Sequence, residues 1–225
     1  MKNAAARLRK TVSMILCLLL VTLLLAAVSE AQRRITACGT TITEWGNYIL
    51  ANDLQCSGFG IRINARLVAL NLDRHTITGN NSDTGISIGN SVVSVFGHGT
   101  ISNFAIGIAV QAGAEDAHLQ LFSATNNTIG IQASQSIRPA INDVTADNNS
   151  EAGILITGSQ NGEIAYSEAL SNGQYGIAIE NSFHNLIFGN RAERNGMFDI
   201  YLSSCDDHDD FFDNVFRTSN QRCIH

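Results

Sequence analysis

Three stretches of the chain decide its fold. Residues 149–158 read NSEAGILITG, residues 172–181 read NGQYGIAIEN and residues 195–204 read NGMFDIYLSS. Each stretch begins with an asparagine, and the three asparagines are 23 residues apart. After each one, apolar and variable positions alternate, as in Ile154 and Ile156 or Ile177 and Ile179. Alternation with a period of two is typical of a β-strand, so the spacing indicates a repeated unit built on strands.

The same period extends towards the N-terminus of the chain, where Gly60-Ile61 opens the series. A unit this short cannot bury its apolar side alone, but stacked copies form a continuous core. Crossover connections between parallel strands are right-handed in nearly all proteins. The sequence therefore predicts an all-β chain, a single right-handed parallel β-helix (a solenoid) of about seven coils. At the inter-strand spacing of ~4.8 Å these coils form a rod roughly 35 Å long.

The recurring asparagines are predicted to stack along the solenoid axis. Asparagine amides can hydrogen-bond to one another from coil to coil, and asparagine tolerates the left-handed backbone of tight turns. The predicted asparagine ladder consists of Asn80, Asn103, Asn126, Asn149, Asn172 and Asn195.

The N-terminal segment, residues 1–31, is typical of a signal peptide. Lys2 and Arg7 belong to a positively charged start, an apolar run covers residues 12–28, and small residues stand at Ser29 and Ala31. Cleavage before Gln32 would leave a secreted or periplasmic domain, residues 32–225. Because the apolar run is long, an uncleaved membrane anchor is the alternative interpretation.

Without that segment the chain is acidic and contains no lysine. Ten arginines remain against nineteen aspartates and glutamates. Nucleic acids and anionic membranes both require a cationic surface. The charge balance therefore argues against nucleic acid as a partner and, after signal cleavage, against a membrane. It gives no indication of the oligomeric state.

Four cysteines remain after cleavage, and they form two pairs near the two ends. Within each pair the cysteines are 18 residues apart. In an exported protein this pattern predicts two local disulfides, Cys38–Cys56 and Cys205–Cys223. A metal site built from both ends of a rod is the less favoured interpretation. We expect disulfide-capped ends: an N-terminal cap over residues 32–59, coils over residues 60–204 and a C-terminal cap over residues 205–225.

Residues 38–79 carry a family resemblance. The motifs are Cys38-Gly39, Asp53-Leu54-Gln55-Cys56, Gly60-Ile61-Arg62-Ile63 and Leu70-Asn71-Leu72-Asp73-Arg74-His75-Thr76-Ile77-Thr78-Gly79. Together with the tail from Cys205 to Ile224, they resemble the exported right-handed β-helix family that includes NosD-like periplasmic proteins and pectate-lyase-like folds. Asp73-Arg74 departs from the Asn-Gly turn usual there. The resemblance implies the fold, whereas its members include lyases, epimerases, hydrolases and accessory proteins.

Enzymes with this fold generally act on polysaccharides along the outer face of the main strand. The alternation predicts which residues point outwards there, and Glu180 is the one carboxylate among them. A lyase site requires several acidic residues around Ca²⁺ and a glycosidase requires two carboxylates. We therefore expect a non-catalytic protein that binds extracellular or cell-surface polysaccharide or has a structural role. The candidate binding residues are Arg62, Gln132, Glu180 and Tyr201.

The acidic stretch near the C-terminus is the second candidate site. Asp207, His208, Asp209 and Asp210 offer oxygen and nitrogen ligands in a short loop, which suits Ca²⁺. A solvated cap whose charge prevents end-to-end stacking is the competing interpretation. Two further functions stay open: a small polysaccharide lyase or epimerase that uses this loop, and an accessory metal-handling role by analogy with NosD.

Overall fold

The computed structural model describes residues 32–205 and 208–224. Residues 33–225 form one compact unit. The predicted signal peptide and Asp207 lie outside the described residues. Within the described part of the chain, no helix is long and apolar enough to cross a bilayer.

In the described part of the chain, twenty-three short strands wind into a parallel β-solenoid with three faces. The first face is a nine-stranded sheet of β1 (Arg33–Ile35), β3 (Gly46–Leu50), β6 (Val68–Asn71), β9 (Val93–Phe96), β12 (Ala117–Gln120), β15 (Ala140–Asn142), β17 (Glu163–Ala165), β20 (Leu186–Phe188) and β23 (Asp210–Phe212). The second is an eight-stranded sheet of β2 (Thr40–Ile42), β5 (Ile61–Ile63), β8 (Thr84–Ile88), β11 (Ile106–Val110), β14 (Ile129–Ser134), β16 (Ala152–Thr157), β19 (Tyr175–Glu180) and β22 (Phe198–Leu202).

The third face is narrower and interrupted. It consists of β4 (Leu54–Gln55), β7 (Thr76–Thr78), β10 (Thr100–Ser102) and β13 (Ser123–Thr125), followed by the pair β18 (Glu168–Leu170) and β21 (Arg191–Glu193). Isolated bridges from Ser123 to Thr145 and from Thr145 to Glu168 connect the two groups. The predicted solenoid of about seven coils is confirmed. Its coils carry three strands, whereas the apolar pattern of the sequence repeat indicates one strong strand and one weaker strand.

The core is a set of aliphatic columns running along the axis. In the eight-stranded sheet, Ile61, Ile86, Ile108, Ile131 and Ile154 are successive partners, and none of their surface is exposed. Each coil adds branched aliphatic side chains that lie directly over those of the previous coil, so apolar burial continues from one end to the other.

Both predicted disulfides are present, Cys38–Cys56 and Cys205–Cys223. The stretch over residues 32–59, predicted to be a cap, already contains β1 to β4 and pairs with the next coil on all three faces. The N-terminal disulfide therefore closes a coil of the solenoid itself.

Asparagines do stack inside the solenoid, but the row is offset from the predicted one at its N-terminal end. Asn127, Asn149, Asn172 and Asn195 are joined by hydrogen bonds in which each side-chain oxygen accepts the backbone N–H of the preceding member. Asn126 is exposed and has a φ of 57°. Asn127 and Asn149 are only 22 residues apart, so a strict count of 23 from Asn149 selects Asn126 instead.

The two other predicted members also lie outside this row. Asn103 has a φ of 59°, and its neighbour Phe104 occupies the row, fully buried, with its N–H bonded to Asn127. Asn80 is exposed, and its amide donates to the carbonyl of Ser57. The structure thus keeps Asn149, Asn172 and Asn195 of the predicted set and adds Asn127.

Candidate functional site

The outer face of the eight-stranded sheet presents one column of side chains that runs from coil to coil. We call this column the outer strip. Its members, in register from the N-terminal end, are Arg62, Ser87, Ala109, Gln132, Leu155, Ala178 and Tyr201. These positions are therefore aligned from coil to coil, although Ala109 and Ala178 are themselves buried. At ~4.8 Å per coil, the Cα atoms of Arg62 and Tyr201 are roughly 29 Å apart.

A cleft of about 390 Å³ lies at the N-terminal end of the outer strip. Its lining is mostly polar: Phe59, Arg62, Asn64, Asp83, Thr84, Ser87, Gly89 and Gln111. Amide, hydroxyl and charged groups face the same space, and the aromatic ring of Phe59 borders it. A concave surface on which several polar groups converge to fix a ligand's orientation is typical of a ligand site.

Arg62 is the only cation that lines this cleft. Its guanidinium carbon lies 4.4 Å from the centre of the Phe59 ring, a cation–π contact that holds the side chain over the strand. Among the described residues it forms no ion pair. Because the ring covers one face of the guanidinium, its N–H edges remain available to a carboxylate.

The other cleft residues supply hydrogen-bonding groups around Arg62. The Gln111 amide lies 3.4 Å from the hydroxyl oxygen of Ser87, and Gly89 leaves room beside the side chain of Asn64. Asp83 is held in a turn with a φ of 57°. Donors and acceptors on neighbouring coils suit the hydroxyl groups of a sugar ring.

The C-terminal end of the outer strip is aromatic. Tyr201 lies 5.0 Å from Tyr175 and 6.2 Å from Phe198, measured between ring centres. Burial raises the pKa of Tyr175, and the nearby Tyr201, Glu180 and Glu151 raise it further. This end therefore combines stacking surface with negative charge, the reverse of the Arg62 end.

The four predicted binding residues share one sheet but do not form one pocket. Arg62 belongs to the cleft, Gln132 lies half-buried at the middle of the outer strip, and Tyr201 is in the aromatic group. Glu180 pairs with Thr157 at the edge of the same sheet. Sequence reasoning missed Phe59 and Asp83 because both come from turns. Strand alternation puts Ser87 and Gln111 on the outward face, but nothing in the sequence singles them out as binding residues.

Of the four predicted ligands in the acidic loop, Asp207 lies outside the described residues, and the other three contact different neighbours. Asp209 turns inwards, where one carboxylate oxygen accepts the backbone N–H and the side-chain amide of Asn185. Asp210 begins β23, and the exposed His208 lies against His184, with 5.6 Å between ring centres. No group of three metal-ligating side chains occurs among residues 32–205 and 208–224. In the described structure Asp209 acts as a hydrogen-bond acceptor, and the Ca²⁺ site stays a prediction.

Comparison with known proteins identifies the family. A family model described as periplasmic copper-binding protein (NosD) matches residues 71–224. The chain belongs to the NosD family. No match to this NosD-family chain was found among curated protein sequences.

Two solved structures share the fold of this NosD-family chain. Both are tailspike protein 2 of a bacteriophage of Escherichia coli O157:H7, one full-length and one described as the enzymatically active domain of the bacteriophage CBA120 protein. Each has a TM-score of 0.51, 13% sequence identity and coverage of 77% of this chain. The chain spans 33% of the full-length tailspike and 37% of the shorter one. At this identity the likeness concerns the β-helix alone.

Proposed function

We propose that this NosD-family protein is an exported, non-catalytic binding module that holds a uronic-acid-containing polysaccharide along the outer strip. The observation that carries the proposal is the Arg62 cleft, where a guanidinium without an ion pair is surrounded by amide and hydroxyl groups. A sugar carboxylate would meet the edge of Arg62, and the sugar hydroxyls would bond to Asn64, Ser87 and Gln111.

The distribution of carboxylates supports binding rather than cleavage. Among the described residues, Asp83 is the only carboxylate that lines the cleft. Hydrolysis of a glycosidic bond generally requires a second carboxylate across the bond. A lyase or epimerase is the alternative, and it would release unsaturated or epimerised uronate from the same polymers.

The test measures binding of oligouronates and of neutral oligosaccharides of equal length by calorimetry. We expect the wild type to prefer oligouronates and Arg62→Gln to bind them about tenfold or more weakly, since one charge-assisted contact is lost. Arg74→Gln is the matched control, because Arg74 is exposed on a different corner. Equal affinity of the two variants would contradict the proposal. Formation of an ultraviolet-absorbing product during the incubation would indicate lyase activity and would contradict a purely binding role.

A second candidate function is metal handling, and the observation that favours it is the neighbouring pair His184 and His208. Their imidazoles lie on adjacent coils at the surface, and imidazole is a good ligand for copper. The family description names copper. We expect Cu²⁺ titration of the wild type to produce an imidazole-to-copper absorption band that His184→Asn weakens. His75→Asn is the control. A band that is equally strong in His184→Asn and in the wild type would contradict this candidate function.

A further inference from the structure

One corner of the solenoid, between the eight-stranded and nine-stranded sheets, carries a single row of projecting residues. We call it the corner row. Its members are aligned in register on successive coils, one or two residues before the strands of the nine-stranded sheet, and they are Trp45, Leu67, Val92, Asp116, Arg138, Asn161, His184 and His208. From Leu67 onwards every member has a φ between 52° and 58°. This left-handed conformation favours Asn, Asp and Gly and disfavours β-branched residues.

The N-terminal third of the corner row is apolar although it faces solvent. Trp45 and Leu67 are each 62% exposed, and Val92 is 37% exposed. The later members are charged or polar, and Arg138 pairs there with Asp116 at 2.7 Å. Leu67 and Val92 thus stand at exposed positions with a left-handed backbone, where Asn or Asp would cause less backbone strain. Backbone strain together with exposed apolar surface indicates selection for an interaction rather than for folding.

A shallow apolar hollow continues this surface on the nine-stranded sheet. It measures about 250 Å³ and is lined by Leu67, Val68, Ala69, Val92, Val93, Ser94 and His118. Leu67 and Val92 line it, and Trp45 lies one coil before Leu67, so the three residues span roughly 10 Å along the axis. We call these three side chains and the hollow the apolar corner.

The charge around the apolar corner is opposite in sign to that of the protein as a whole. Arg33, Arg34 and Arg66 accompany its first two coils, and the carboxylates of Glu115 and Asp116, on the coil after Val92, are paired with Arg138. Arg66 is the exposed neighbour of Leu67, and Arg34 is exposed on β1. Glu44 is neutralised by Arg33 at 2.9 Å. The net charge of the domain argues against binding to an anionic membrane. The charges are unevenly distributed, however, and the N-terminal end of the solenoid is cationic.

The position of this surface in the chain completes the argument. The apolar run over residues 12–28 ends five residues before β1 begins at Arg33. If this run acts as the predicted signal peptide, export brings the domain past a membrane surface. Tryptophan is enriched at membrane interfaces, and arginine is attracted to the headgroups of anionic lipids.

We propose that the apolar corner docks the folded domain onto an anionic membrane surface, with Trp45, Leu67 and Val92 entering the headgroup region and Arg34 and Arg66 contacting lipid phosphates. This docking is peripheral and does not require a spanning segment. It uses a different surface from the outer strip cleft, so the polysaccharide site stays accessible while the domain is docked.

The chain offers a direct reporter, because Trp45 is its single tryptophan. The experiment uses residues 32–225 with both disulfides formed, since this part has its own core and no apolar leader. It is mixed with vesicles of phosphatidylglycerol and phosphatidylethanolamine, or of phosphatidylcholine alone. We expect a blue shift of the emission, quenching by brominated acyl chains and co-flotation with the phosphatidylglycerol vesicles only, all weakened by salt.

Two variants separate docking from folding. Leu67→Asn and Val92→Asn together remove apolar surface while placing a residue that favours the left-handed backbone, so the fold is retained. We expect this double variant to bind the anionic vesicles at least about tenfold more weakly. Val215→Asn, at another exposed apolar residue, is the control with unchanged binding. Binding that is equal in the double variant and the wild type, absence of any emission shift, or a tryptophan shift caused by self-association without vesicles would each overturn the proposal.

Discussion

Asn126 and Asn127 are neighbours in the chain but occupy different environments in the solenoid. Asn127 is 3% exposed, accepts the N–H of Phe104 and donates to the carbonyl of Ile101. Asn126 is exposed and has a left-handed backbone. Sequence periodicity identifies the asparagine row but not which of these two residues belongs to it. A coil that is one residue shorter than the others fits the repeat with either asparagine in the row. The hydrogen bonds alone decide between them.

These two positions give a paired stability prediction. We expect Asn127→Ala to lower the free energy of unfolding by about 2–4 kcal/mol, since two buried backbone groups lose their partner. Asn126→Gly should change it by less than ~1 kcal/mol, because glycine adopts the same backbone without strain. Urea unfolding followed by circular dichroism measures both. If Asn126→Gly were the more destabilising substitution, the buried asparagine row would contain Asn126 instead of Asn127.

Asp199 terminates the asparagine row as a buried carboxylate, 2% exposed. Burial by itself would raise its pKa, but hydrogen bonds from the backbone of Asn195, Arg217 and Thr218 and from the Asn195 amide outweigh burial and lower the pKa. A carboxyl group with a lowered folded-state pKa stabilises the fold above its unfolded pKa, and that stabilisation disappears as the pH falls through the folded value.

The predicted consequence is a pH-dependent effect of Asp199→Asn. Near neutral pH we expect this variant to be less stable than the wild type by about 2–4 kcal/mol, because an amide cannot accept all four hydrogen bonds. Below about pH 3 the difference should shrink, since the wild-type carboxyl is then protonated as well. Unfolding curves of both proteins at the two pH values provide the measurement, and a constant difference would contradict this role.

At the scale of the strand, close contact between coils restricts the glycine before each isoleucine of the eight-stranded sheet. A Cβ atom on Gly153 would lie 2.6 Å from the carbonyl oxygen of Ala146 and 2.8 Å from that of Gly176. The repeat predicted these glycines as strand starts. It did not predict the third strand of each coil, because its residues, such as Ala169 and Ala192, are small and alternate weakly.

This contact predicts that Gly153→Ala is destabilising by about 3 kcal/mol or more, since backbone atoms of two coils would have to separate. Gly58→Ala is the control, because the nearest atom to its added methyl group lies at 4.0 Å. Thermal unfolding distinguishes the two substitutions. Similar melting temperatures would show that the coils are less tightly stacked at Gly153 than the structure describes.

At the scale of the whole molecule, regular stacking arranges the surface into columns of different chemistry. The outer strip was predictable in its register because strand alternation determines which side chains face outwards. The cleft was not, since Phe59 and Asp83 reach it from turns whose geometry has no repeat. The apolar corner was also hidden: no pattern in the sequence reveals that Leu67 and Val92 share a left-handed corner with Asp116 and Arg138.

The most direct test of the proposed function is to map backbone amide chemical shifts while a uronate oligosaccharide is added to the isotope-labelled domain. The proposal predicts changes along the outer strip, largest at Arg62, Ser87 and Gln111 and smaller towards Gln132, with the nine-stranded sheet unaffected. Changes confined to the nine-stranded sheet, or no change with any uronate oligosaccharide, would contradict it.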